Sequence, residues 1–203
     1  HRADPVTPIE ETIGALDTLV RQGKALYVGI SSYSAERTEE AVAVAKSLGT
    51  PLIIHQPSYS ILNRWVEDGL TDSLKTAGMG AIAFTPLAQG LLTDKYLGDG
   101  RAERAQSRFS LPDGQLSEKA LDTLRSLNDI AKERGQTLAQ MAIQWVLRDE
   151  VVTSALIGAS RPEQLDQNLA AVDGAPFDDD ELARIDALSG AIDVDLWADS
   201  ANA

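Results

Sequence analysis

Cysteine is absent from the 203 residues, which excludes a disulfide scaffold, a thiol nucleophile and every cysteine-based metal site. Histidine is almost absent, with only His1 and His55, so a histidine-rich zinc centre is excluded too. Apolar runs are short, residues 80–84 being typical, against the roughly 20 residues that a membrane-spanning helix needs. No basic stretch followed by an apolar one opens the chain, so no signal peptide is read in it and a cytoplasmic location is expected. Positive charge is in the minority: 18 Lys and Arg face 31 Asp and Glu, for a net charge of −13. Such a chain repels a nucleic-acid backbone. A small phosphorylated ligand is compatible with it, because helix-terminal amides and one or two Arg override the global charge locally.

What is present is an alternation of short apolar segments with amphipathic ones. Thr7-Pro8-Ile9-Glu10 reads as an N-cap, a Pro at the first helical position and a capping-box Glu, opening a helix to about residue 22 that Gly23 stops. Residues 25–30 follow as a strand, and Ser34 caps a helix over 35–48 ended by Gly49. Strands are predicted over 51–55, 80–84 and 153–157, and helices over 66–77, 117–134, 137–148, 162–172 and 179–188. Residues 94–116 are polar and read as a loop, and 198–203 as a frayed tail.

Strands that alternate with helices and are uniformly apolar indicate an α/β fold with a parallel sheet covered on both faces. The four strands are too few for a closed (β/α)₈ TIM barrel of typically about 250 residues. The chain begins at His1-Arg2 and turns into a helix almost at once. The expectation is therefore roughly the second half of such a barrel, strands 5–8 with their helices. A doubly wound open sheet is the alternative. No GxGxxG follows any strand, which removes the usual dinucleotide fingerprint.

In either α/β architecture function gathers where strands end. Those positions hold His1, Ser31-Ser32, His55-Gln56, the run from Phe84 to Gly90, and Gly158-Ala159-Ser160-Arg161. Amides at the helix start near Pro162, the Ser160 hydroxyl and Arg161 would suit a phosphate, although Ser160 to Glu163 also reads as a plain capping box beside a solvated Arg. Phe84 suits stacking on a planar ring or simple core packing. Ser32 and Gln56 suit a carboxamide or ordinary loop capping. His55 is expected in a satisfied, semi-buried position, and His1 could hydrogen-bond a carbonyl.

Taken together, five segments resemble the aldo-keto reductase family. They are His1-Arg2-x-Asp4-Pro5-x-Thr7-Pro8-x-Glu10-Glu11-Thr12, Val28 to Ser34 (VGISSYS), Gln56, Phe84 to Tyr96 (FTPLAQGLLTDKY), and Ile157-Gly158-Ala159-Ser160-Arg161-Pro162-Glu163-Gln164-Leu165-x-x-Asn168. Their order is that of the family's second half. Ile54 to Tyr59 and Asn63-Arg64-Trp65 look most like its bacterial L-glyceraldehyde 3-phosphate reductase branch, itself similar to voltage-gated potassium-channel beta subunits.

The resemblance implies a (β/α)₈ barrel that binds NADPH (NADP⁺ after turnover) and reduces small aldehydes or ketones with an Asp, Tyr, Lys and His set. His1 matches the His; no Asp, Tyr or Lys of this chain matches the other three. Ser31, Ser32 and Gln56 match the nicotinamide carboxamide contacts, and Phe84 the aromatic that stacks on that ring. Thr85, Pro86, Leu87, Ala88, Gln89, Gly90 and Lys95 match the loop around the pyrophosphate, with Arg101 folding over it. Gly158, Ser160, Gln164, Gln167 and Asn168 match the 2′-phosphate and adenine site. The resemblance further implies a small carbonyl substrate and a homo-oligomer such as a tetramer, beside the expectation from composition of no metal, no nucleic acid and no membrane. Its alternative is an NADP(H)-binding regulatory subunit with little turnover.

Overall fold

The computed structural model describes residues 1–97, 118–190 and 192. Four strands form one parallel sheet in sequential order: β1 (Val28–Ser31), β2 (Leu52–Gln56), β3 (Gly80–Phe84) and β4 (Val152–Leu156). Seven helices accompany them among the described residues: α1 (Ile9–Arg21), α2 (Ala35–Leu48), α3 (Leu70–Ala77), α4 (Glu118–Glu133), α5 (Leu138–Val146), α6 (Pro162–Leu169) and α7 (Asp179–Ser189). Because parallel neighbours need crossovers, each return passes through a helix and every strand ends at the same edge of the sheet.

Local signals account for several boundaries. Ser34 accepts a hydrogen bond from the Arg37 amide, and Gly49 ends α2 at φ 72°, where a side chain would be strained. Thr137 with Gln140, and Asp178 with Glu181, close reciprocal capping boxes at α5 and α7. Buried Leu124, Leu127 and Ala131 line the inner stripe of α4, and Met141, Ala142 and Trp145 that of α5. Burial of each large side chain in this stripe stabilises by roughly 1.5–3 kcal/mol. On β3, Ala81 and Ala83 are buried, and on β2 His55 is buried.

Other boundaries depart from expectation. Thr7 does not cap α1: its hydroxyl donates to Asp4, and Pro8 stands at the N-cap with no side-chain cap. The first strand starts at Val28, because Leu26 and Tyr27 are exposed and find no ladder partner. The helix expected over 66–77 is split into a 3₁₀ turn (Trp65–Glu67) and α3 by Gly69 at φ 84°. That expected over 162–172 gives way after Leu169 to a 3₁₀ turn (Ala170–Asp173). The polar segment 94–116 begins as a 3₁₀ turn (Asp94–Tyr96), and its residues from 98 on, with Arg101 and the 198–203 tail, lie outside the described residues.

The strands approach closely. A Cβ on Gly29 would lie 2.3 Å from Ile54 Cγ2 and 2.8 Å from the Ile54 carbonyl oxygen; one on Gly80 would lie 2.3 Å from Thr153 Oγ1. Glycine at position 29 is a steric requirement of sheet packing, because a backbone oxygen stands in the way, whereas at position 80 the obstacle is the Thr153 side chain. Ile53 and Leu156 remain about half exposed, an unusual state for β-strand aliphatics.

Candidate functional site

The strand ends are joined to one another directly. In the ladder Ser31 stands opposite Gln56, and Phe84 opposite Leu156. The Ser31 hydroxyl donates to the Gln56 carbonyl at 2.7 Å, and the Ser31 and Ser32 hydroxyls are 3.5 Å apart. With its proton committed to Gln56, Ser31 Oγ keeps its lone pairs for an incoming N–H.

Among the described residues, four non-glycine residues have left-handed backbone, and all follow strands β1 or β3: Ser32 (φ 56°), Thr85 (φ 55°), Ala88 (φ 46°) and Gln89 (φ 57°). Such conformations cost about 1–2 kcal/mol each and persist where the surroundings enforce them, typically at ligand sites. The enforcement is visible at Thr85. Its hydroxyl donates to the Phe84 carbonyl at 2.7 Å, so the 2.8 Å contact with Ser58 Oγ must be a donation from Ser58, which in turn accepts from Asn63 Nδ2 at 3.2 Å. The result is a directional chain, Asn63 to Ser58 to Thr85 to the Phe84 carbonyl, which also accepts from the Tyr59 amide at 3.1 Å. Trp65 Nε1 donates to the Ser58 carbonyl at 2.8 Å. Phe84 is thus pinned through its backbone with its ring half-buried.

Beyond Phe84, Pro86 and Ala88 are buried, while Leu87, Gln89 and Gly90 are half-buried in a tight turn. There the Ala88 amide donates to the Thr85 carbonyl and the Gly90 amide to the Leu87 carbonyl, both at 2.9 Å. Thr93 Oγ1 donates to the Gly90 carbonyl at 2.7 Å, and Lys95 Nζ lies 5.1 Å from the Tyr96 ring centroid.

After β4 the arrangement differs from the capping box read in the sequence. Arg161, not Ser160, is the N-cap of α6 and makes no side-chain cap; the Ser160 amide donates to Gln164 Oε1 at 2.9 Å. That amide is therefore not free for a phosphate, while Gly158, Ser160, Arg161 and Gln167 are exposed and Asn168 is half-buried. The Gln167 carbonyl accepts from Gln140 Nε2 at 2.9 Å. His1 is exposed and makes no hydrogen bond to the strand-end residues.

Two groups here escaped the sequence reading. His55 is completely buried, where a satisfied, semi-buried position was expected: Nε2 lies 3.2 Å from both the amide nitrogen and the carbonyl oxygen of Tyr33, and Nδ1 has no partner. Burial pushes its pKa down to about 4, only partly opposed by the Tyr33 hydrogen bond, so the ring is neutral. The second group backs the β2 turn. Glu67 binds Tyr59 at 2.6 Å, Arg64 at 2.6 Å and Arg148 at 3.0 Å, and both guanidiniums lie against the Trp145 ring, at 5.1 and 3.6 Å from its centroid. Burial works to raise the Glu67 carboxyl, and the hydrogen bonds from Arg64, Tyr59 and Arg148 together hold it below the ordinary value. The Arg64–Glu67 pair is local, but Tyr33 meets His55 and Arg148 meets Glu67 from 22 and 81 residues away, so no local pattern announces those contacts.

A cavity of about 790 Å³ lies elsewhere, lined by Gln144, Arg148, Phe177 and Leu182 among others, and includes none of the strand-end residues. We place the site at the strand ends because strain, hydroxyls and an aromatic converge there. Among the described residues no group of three or more acidic or histidine side chains is placed to hold a metal, and no helix is long and apolar enough to cross a membrane.

A parallel α/β sheet with strained, hydroxyl-rich turns at its carboxyl edge has the architecture in which α/β proteins gather their functional groups at strand ends. The profile of the aldo/keto reductase family matches residues 1–189, and the chain belongs to that family. It is 51% identical over 208 aligned residues to L-glyceraldehyde 3-phosphate reductase of Escherichia coli K12, covering all of this chain and 60% of the relative. It is 38% identical to a probable voltage-gated potassium channel subunit beta of Oryza sativa, over 87% of this chain and 56% of that one. The crystal structure of a thermostable aldo-keto reductase, Tm1743, with the inhibitor epalrestat matches at TM-score 0.69 and 29% identity, over 93% of this chain and 57% of the other. The chain thus spans about 60% of the length of such relatives.

Proposed function

We propose that this chain carries the NADPH site of a (β/α)₈-barrel reductase of small aldehydes or ketones, L-glyceraldehyde 3-phosphate or methylglyoxal being candidate substrates. In this reading the four parallel strands belong to that barrel. A cytoplasmic location and a homo-oligomer belong to the same reading.

The observation that carries it is the locked turn pair: Ser31 tied to Gln56, Ser32 and Thr85 held left-handed, and Phe84 pinned between them. The residues fit a nicotinamide. Ser31 accepts from the carboxamide N–H, Ser32 and Gln56 complete the amide's hydrogen bonds, and Phe84 offers its ring as a stacking face. The bound dinucleotide supplies the hydride. The turn from Thr85 to Gly90 and Lys95 receives the pyrophosphate, while Ser160, Gln164, Gln167 and Asn168 receive the adenosine 2′-phosphate end. His1 orients the substrate carbonyl.

Titration of the purified protein with NADPH and NADH, followed by an assay of NADPH oxidation with glyceraldehyde 3-phosphate and methylglyoxal, tests the reading. Binding that favours NADPH is expected; absence of binding to either dinucleotide would refute it. The likeness to channel beta subunits favours a second reading, a dinucleotide-binding regulatory subunit, which predicts the same binding with negligible turnover.

A further inference from the structure

We propose that His55, whose ring is buried on β2, is a positioning residue that sets the nicotinamide-binding conformation of the Ser31-Ser32 turn. The inference rests on the cofactor reading above and deepens it. His55 lies on β2, between Ile54 and Gln56, with its ring fully buried. Its Nε2 reaches across to the backbone of Tyr33, the residue immediately after left-handed Ser32. On the other side of the same turn, Ser31 Oγ donates to the backbone of Gln56, the residue immediately after His55. The dipeptide His55-Gln56 therefore grips Ser31-Ser32-Tyr33 from both ends.

This grip explains how a buried, non-glycine residue stays at φ 56°. A serine released there would relax to an ordinary backbone conformation and carry its hydroxyl away from Ser31. The orphaned Nδ1 points the same way. A histidine kept for packing alone would be replaceable by an aromatic that leaves no polar atom unpaired; this ring tolerates an unpartnered nitrogen so that the other can hold Tyr33. The low pKa keeps the ring uncharged, so the contact with Tyr33 is uniform across the neutral range.

The test compares His55→Gln, whose amide places a polar atom near the Nε2 position, with His55→Phe, which fills the volume without one. Binding of NADP⁺ is measured beside that of 2′,5′-ADP, which lacks the nicotinamide, and exchange of the Tyr33 amide is followed by NMR. His55→Phe is expected to weaken NADP⁺ by about tenfold, the scale of one lost hydrogen bond, with 2′,5′-ADP unchanged and Tyr33 exchange accelerated. His55→Gln is expected to restore most of both. Unchanged NADP⁺ binding in His55→Phe, or equal loss of both nucleotides, would overturn the assignment. Wild-type protein that binds neither nucleotide would overturn the cofactor reading and, with it, the nicotinamide role.

Discussion

The Ser31 hydroxyl donates to the Gln56 carbonyl across 2.7 Å, joining the ends of two adjacent strands by a side chain where the ladder itself stops. Removal of that hydroxyl in Ser31→Ala strips one donor from the junction and one acceptor from the proposed site. We expect a loss of about 1 kcal/mol of stability by urea denaturation and a tenfold or so weaker binding of NADPH by titration. Unaltered affinity would remove Ser31 from the site.

Ser32 pays a backbone cost that glycine would not. Ser32→Gly is expected to unfold at a temperature equal to or higher than wild type, relief of the left-handed strain offsetting the lost hydroxyl, while NADPH binding weakens. Calorimetry beside titration checks this, and a variant that lost stability but kept affinity would contradict it.

His55 also gives stability a pH dependence. Its pKa falls from an ordinary 6.5 to about 4 on folding, so the unfolded chain binds the extra proton first, and stability present above pH 6.5 is lost as pH falls through about 4. The full difference corresponds to about 3 kcal/mol. Urea midpoints measured from neutral pH down to about pH 5.5, above the range where ordinary carboxylates titrate, should begin to fall in wild type and stay nearly level in His55→Gln.

Glu67 is the only acid shared by Arg64, Arg148 and Tyr59 among the described residues. Glu67→Ala leaves two partly buried guanidiniums beside Trp145 without that carboxylate, and should cost about 2–3 kcal/mol in chemical denaturation. Since the cluster backs the turn carrying Ser58, Phe84-dependent cofactor binding should weaken less than stability does.

Ser160 Oγ is exposed and makes no hydrogen bond with the described residues, so its removal should barely touch stability. In the proposed 2′-phosphate site, Ser160→Ala weakens NADPH and leaves NADH almost unchanged. Parallel titrations decide it, equal loss for both dinucleotides placing Ser160 elsewhere.

Helix α2 was legible in full, because Ser34 and Gly49 act on backbone groups within four residues of themselves. Strand β3 was legible because residues 80–84 are apolar throughout, and the family motifs pointed to Ser31, Ser32, Gln56 and Phe84 at strand ends. Thr7 and Ser160 misled for the opposite reason: each has the right chemistry for a cap, yet Asp4 took the first hydroxyl and Gln164 took the second residue's amide. The split at Gly69 was missed because a helical apolar pattern runs on through it.

The sequence by itself determined the alternation of strands and helices, the exclusion of cysteine chemistry and of a histidine-rich zinc centre, and which polar residues follow each strand, since all of these are read from composition and from neighbours along the chain. Tertiary structure alone decided that His55 is buried against Tyr33, that Asn63, Ser58 and Thr85 align their hydrogen bonds toward Phe84, and that Gly29 must lack a side chain beside Ile54. Each of these depends on two segments, tens of residues apart in some cases, meeting across a strand spacing of about 4.8 Å, a distance that the packed sheet fixes.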